Sequence, residues 1–164
     1  MKIRAALLVV SDSVSRGERK DENGEIAREV LGSAAEVVEK RIVPDEPDQV
    51  RAAILRWCDE QEVDVVVTIG GTGLSPRDVT AEVTRTLIEK EASGISTALL
   101  MQGLRATPRA MLSNAAAGVR GRTLIINLPG STSAVRELLE YLRDVLPHAV
   151  EMIWGAGHDT AANG

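Results

Sequence analysis

The chain has no phenylalanine, one tyrosine and two tryptophans, so aromatics make up only 2% of its 164 residues. Its core must therefore be assembled from Val, Leu, Ile and Ala, which suits helices packed on a sheet buried on both faces. A single cysteine, Cys58, excludes an internal disulfide and points to a reducing compartment. With His148 and His158 as the only histidines, there is no set of ligands for zinc. Basic runs interleaved with aromatics are missing too, and 19 Lys and Arg against 24 Asp and Glu leave a net charge of −5, which argues against nucleic acid as a partner. No apolar run is long enough to span a membrane. Lys2 and Arg4 precede an apolar stretch that stops at Val10 without a small-residue cleavage site, so a secretory signal is not expected and the assignment is cytoplasmic.

What is present, 44% hydrophobic residues in a chain of this length, is enough for one domain that buries roughly 70% of its unfolded surface. The expected domain covers 1–154, with 155–164 a flexible tail. Ile3 to Val10 reads as a strand buried on both faces, ending at Ser11, Asp12 and Ser13. A polar loop, Ser15 to Asn23, leads to a helix expected over Gly24 to Ala35. Val37 to Val43 reads as a second strand. Pro44 and Pro47 stop it and start a helix, leaving Asp45 at a strand-to-helix junction, where open α/β sheets place ligand-binding residues. On its own, Asp45 is better read as a plain helix-start acid favoured by the dipole.

Val50 to Gln61 has helical spacing, with Trp57 and Cys58 facing the core, and Val63 to Ile69 is the third strand. Helices are expected over Thr80 to Glu89 and Ile95 to Arg105. Leu112 to Val119 reads as an edge strand, turning through Gly121 into a buried strand from Thr123 to Leu128, a connection short enough to require antiparallel pairing. A helix follows from near Ser133, breaking around Pro147. Together these elements give a three-layer α/β/α domain with a mostly parallel sheet and an antiparallel edge strand.

Thr68 to Glu82, TIGGTGLSPRDVTAE, stands out. Gly70, Gly71 and Gly73 close a strand and let backbone N–H groups approach an anion, and Arg77, Asp78 and Thr80 precede a helix whose N-terminal end is positive. The simpler reading is a turn with Asp78 as helix cap, which leaves the Arg77–Asp78 pair unused. The stretch is neither G-x-G-x-x-G, because Pro76 stands at the last glycine, nor a Walker A loop, because no Lys-Ser/Thr follows. A second glycine turn, Pro129, Gly130 and Ser131, comes to the same rim, with Asn127 at the end of its strand.

The segments VSDSVSRG, VPDE, TIGGTGLSPRDVT, MLSNAAAGVRG and LIINLPGS, in this order, closely resemble the family of molybdenum-cofactor biosynthesis proteins that includes molybdopterin adenylyltransferase. The resemblance runs from about Ile3 to Trp154. It implies an α/β/α homotrimer that transfers AMP from ATP, with Mg²⁺, to the terminal phosphate of molybdopterin and releases pyrophosphate. A non-catalytic molybdopterin-binding member is the alternative, and a separate molybdenum-insertion protein is an implied partner. By the same resemblance, Asp45 and Asp78 hold magnesium and support transfer. Thr72 and the glycines become pterin or phosphate contacts, Ser11 and Asp21 contributors from the first loop, and Ser113, Asn127, Gly130 and Ser131 the rest of the pocket wall. Ala81, Ser93 and Thr132 stand where the family often has proline, and turns looser at Ala81 and Thr132 are expected.

Overall fold

The computed structural model describes residues 2–155, so His158 and all of the expected tail but Gly155 lie outside the described residues. Six strands form one sheet: β1 (Ile3–Val10), β2 (Ala35–Val43), β3 (Val65–Ile69), β4 (Lys90–Glu91), β5 (Ala117–Arg120) and β6 (Thr123–Leu128). Their order is β2-β1-β3-β6-β5-β4; β2, β1, β3 and β6 run parallel, while β5 pairs antiparallel with β6 and β4 antiparallel with β5. Helices α1 (Asp12–Ser15), α2 (Glu22–Leu31), α3 (Pro47–Leu55), α4 (Thr80–Leu87), α5 (Ser93–Ala106), α6 (Thr132–Leu142) and α7 (Leu146–Ile153) complete the chain. None is long and apolar enough to cross a membrane.

Because side chains alternate across a strand, the central strands feed two cores. Ala5, Leu7, Val65, Val67 and Ile126 pack beneath α2, α5, α6 and α7, whereas Ala6, Leu8, Val66 and Ile125 pack against Val50, Ile54, Trp57 and Val83 from α3, its continuation and α4. Trp57 and Cys58 are core residues, as their spacing requires, and burial pushes the Cys58 thiol up to about 11, which leaves it inert. α3 widens into a π turn over Arg56–Glu60 before β3.

Several boundaries differ from expectation for identifiable reasons. α2 begins at Glu22 because the Asp21 carboxylate accepts from the Gly24 N–H at 2.9 Å and caps it, and it ends at Leu31 so that Ala35 can open β2 in register with Ile3. The strand expected over Leu112 to Val119 is a 3₁₀ turn (Pro108–Leu112) and a loop before β5. Asn114 donates its N–H to the Thr72 carbonyl at 2.7 Å, so the backbone there bonds to the glycine loop instead of a strand. β5 is also not the outermost strand, since the two-residue β4 covers it. Ala81, Ser93 and Thr132 each lie in the first turn of a helix, α4, α5 and α6, where a proline's missing N–H costs nothing, so its replacement leaves the turn regular rather than loosened.

The sheet order places β1 between β2 and β3. The connection to β2 carries α2 on one face and the connection from β2 to β3 carries α3 on the other. A crevice opens at the carboxyl ends of β1 and β3, the switch point of a doubly wound sheet.

Candidate functional site

A cleft of about 240 Å³ occupies that switch point. Of the residues singled out from sequence, Ser11, Asp21, Asp45, Gly70, Gly71 and Gly130 line it. Gly70 and Gly71 have φ of +97° and +69°, and a β-carbon would strike the Val10 carbonyl oxygen at the first and the Thr80 hydroxyl at the second. The chain can thus turn sharply off β3 and lay bare backbone along the cleft. Asn23 donates to the Gly130 carbonyl at 2.7 Å, tying the first loop to the second glycine turn.

Asp45 is half-buried. Its Oδ2 accepts the Asp12 N–H at 2.9 Å, and the Asp12 carboxylate accepts the Asp45 N–H at 3.0 Å. Burial pushes the Asp45 carboxyl above its ordinary value, the charges of Asp12 and Asp78 add to that shift, and the Asp12 N–H opposes it. Asp12 is shifted the other way, chiefly by the Arg77 guanidinium, which forks onto it at 2.9–3.1 Å and reaches Glu46 at 3.1 Å. Arg77, a substrate-binding candidate from the sequence, is therefore engaged with the protein's own carboxylates Asp12 and Glu46.

Asp78 does not cap α4, whose N-cap is Val79 without a side-chain bond. Instead its Oδ2 accepts from the Ser75 N–H at 3.0 Å and the Ser75 hydroxyl at 2.7 Å, closing the loop on itself, and Gly73 leaves room for that carboxylate.

The remaining expected residues stand around the cleft without lining it. Thr72 is buried and accepts from the Ser113 hydroxyl at 3.2 Å, which joins the glycine loop to the segment before β5. Thr80 is fully buried with an unpartnered hydroxyl behind Gly71, so it backs the loop. Ser131 caps α6 through the Ala134 N–H, with Pro129 before it.

Asn127 is a correction: only 1% exposed, it donates to the Thr68 and Thr84 hydroxyls and accepts the Ala116 N–H. Its polar atoms are spent stitching β3, α4 and β5 to β6 rather than facing a ligand. Sequence reading also missed Arg19, Lys20, Asn23 and Thr132 in the cleft wall, and Asp12 and Glu46 beside it. Adjacent cations in an otherwise acidic first loop were the available signal for Arg19 and Lys20.

Among the described residues no group of three or more metal-ligating side chains occurs. Asp45 and Asp78 do each keep one oxygen tied to the protein and one without a protein partner among those residues. That fits Mg²⁺, which is commonly held by one or two carboxylates with substrate phosphates and water completing its octahedron.

The raised Asp45 value carries a stability consequence. Because the folded-state value lies above the unfolded one, the ionised carboxylate costs folding free energy at neutral pH and costs nothing once both states are protonated. In metal-free buffer, Asp45→Asn should raise the melting temperature at pH 7, and the gain should fade as pH falls through the raised value toward about 4. Calorimetry across that range checks it; an equal gain at pH 3 contradicts it.

A glycine-lined cleft at the switch point of a doubly wound sheet is the place where α/β domains of this class bind small molecules. The chain belongs to the family described as "Probable molybdopterin binding domain", whose match covers residues 6–148. The "Molybdopterin biosynthesis enzyme MoaB" of Thermus thermophilus superposes with a TM-score of 0.88 at 47% identity, covering 93% of this chain and 97% of that one. The "Molybdopterin adenylyltransferase" of Helicobacter pylori strain J99 is 38% identical over 156 residues, 93% of this chain and 89% of that protein. The "Molybdenum cofactor synthesis protein cinnamon" of Drosophila melanogaster is 41% identical over 153 residues, 92% of this chain. The chain spans 26% of that fly protein and 50% of a bacterial bifunctional relative.

Proposed function

We propose that the protein is a molybdopterin adenylyltransferase that moves AMP from ATP to the terminal phosphate of molybdopterin and releases pyrophosphate. The observation that carries this is the cleft itself, with Asp45 in its wall beside the Gly70–Gly71 turn and Asp78 closing the glycine loop that follows. The attacking phosphate oxygen is already ionised near neutral pH, so no general base is needed, and the site's task is to align donor and acceptor and neutralise charge at the α-phosphate. Gly70, Gly71 and Gly130 bring backbone to the cleft wall, and Arg19 and Lys20 there supply positive charge for the phosphates. Asp45 and Asp78 would hold Mg²⁺, which when bound offsets negative charge on the transferring phosphates. Incubating the protein with ATP, Mg²⁺ and molybdopterin and searching for adenylated pterin by mass spectrometry tests the reading; tight pterin binding without product would instead make this a binding protein of the same pathway.

The working form we propose is a cytoplasmic homotrimer. α5 buries only Leu99, and together with the turn after it leaves Leu100, Met101, Leu104, Met111 and Leu112 exposed. Exposed apolar side chains on one helix and the turn beside it suit a protein partner, and a second copy of the chain is the simplest. Light scattering should give about three times the 17.5 kDa chain mass, and Met101→Glu should shift it toward monomer. A parent protein that is monomeric at micromolar concentration contradicts the assembly.

A further inference from the structure

The most connected side chain at the site belongs to neither expected catalytic carboxylate. Asp12, the first residue of α1 just past β1, sits between the two loops that carry them. Toward β2 it exchanges hydrogen bonds with Asp45: the Asp12 N–H donates to Asp45 Oδ2 at 2.9 Å, and the Asp45 N–H donates to Asp12 Oδ1 at 3.0 Å. Toward the glycine loop it takes a forked bond from Arg77, with Nε to Oδ2 at 3.1 Å and one guanidinium NH₂ to Oδ1 at 2.9 Å and Oδ2 at 3.0 Å. Arg77 is the chain neighbour of Asp78, whose own N–H and carboxylate are pinned to Ser75. The same guanidinium group reaches Glu46, beside Asp45. One side chain thus spans the loop after β1, the loop after β2 and the loop after β3.

Charge explains why such a brace is needed. Asp12, Asp45, Glu46 and Asp78 are four carboxylates gathered around the single guanidinium of Arg77, and mutual repulsion would spread them. Planar, bidentate pairing holds Arg77 in one orientation as a point charge could not. The reciprocal bonds also consume the same oxygen of Asp45 that would otherwise be free to rotate, and so aim its other oxygen.

We propose that Asp12 is a positioning residue for the transfer reaction: it sets the separation and orientation of Asp45 and Asp78 by bonding to the Asp45 backbone on one side and gripping Arg77 on the other. This rests on the adenylyl-transfer reading given above. Misplacing reacting groups by about 1 Å can cost about 10² in rate, so Asp12→Ala should lower kcat by about 30- to 100-fold while the KM for molybdopterin stays near the parent value.

Asp12→Asn separates the two arms. Its carbonyl oxygen still accepts the Asp45 N–H, but its amide group confronts Arg77 with donors, so a loss of about 10-fold is expected from the glycine-loop arm alone. Arg77→Lys, which keeps charge but loses the fork, should resemble Asp12→Asn. Independently of turnover, Mn²⁺ binding in the presence of a non-hydrolysable ATP analogue, read by electron paramagnetic resonance, should weaken by about 10-fold in Asp12→Ala, with circular dichroism confirming the fold. A folded Asp12→Ala protein with parental kcat and parental Mn²⁺ affinity overturns the proposal. Should Asp12→Ala fail to fold, Asp12→Asn decides, and a parental rate there overturns it equally. If the parent transfers no AMP, the proposed reaction is wrong, whereas the Mn²⁺ measurement still upholds the brace when affinity falls and refutes it when affinity holds.

Discussion

Asp78→Asn should lower AMP transfer by about 10²–10³-fold, equivalent to roughly 3–4 kcal/mol of transition-state stabilisation. The substitution removes a charge but keeps shape, and the amide oxygen can still accept from Ser75, so the loop it closes should persist. What disappears is the second of the two carboxylates proposed to hold Mg²⁺. Because the Gly70–Gly71 turn and Gly130, which line the cleft, are not held by that charge, molybdopterin affinity should change little. Parallel titration calorimetry and rate measurement on one preparation make the split visible. A parental rate in Asp78→Asn removes this carboxylate from the mechanism.

The second large effect is on folding. Gly70→Ala should destabilise the protein by about 3 kcal/mol, the sum of an unfavourable positive φ and a clash that no side-chain rotation relieves. The clash is with the Val10 carbonyl oxygen, which belongs to the central strand β1 and has no freedom to withdraw. For a domain of this size that corresponds to about 6–12 °C in melting temperature. The same change at Gly121, also at positive φ but with nothing near its β-carbon position, should cost much less. Thermal unfolding of the two variants side by side distinguishes a built constraint from ordinary turn preference; equal losses would mean that close approach at Gly70 contributes nothing.

These contrasts show which parts of the molecule the sequence makes legible. Strands buried on both faces announce themselves as unbroken apolar runs, and Ile3 to Val10 and Thr123 to Leu128 appear with the expected bounds. The glycines after β3 were readable because positive φ and close packing leave few other residues possible. Elements held by distant bonds were not. The extended stretch before β5 looks like a strand in sequence, yet its N–H at Asn114 goes to Thr72, 42 positions earlier, and nothing local encodes that. The two-residue β4 is too short to carry a pattern.

Within the site, the proposed catalytic pair rests on motif resemblance, whereas Asp12, just past an obvious strand, passes for a helix-start acid until Arg77 is seen forked onto it. Asn127 shows the opposite error, because a polar residue ending a buried strand near a cleft looks like a ligand contact when it is in fact satisfying three internal partners.

The central claim, that this cleft transfers AMP, is tested most directly by following label from ATP carrying radioactive phosphorus at the α-position. With Mg²⁺ and molybdopterin present, the label should appear in adenylated pterin in step with unlabelled pyrophosphate, and both should vanish when molybdopterin is omitted. Label that stays in ATP while molybdopterin is bound stoichiometrically, or that appears in ADP, would contradict the claim.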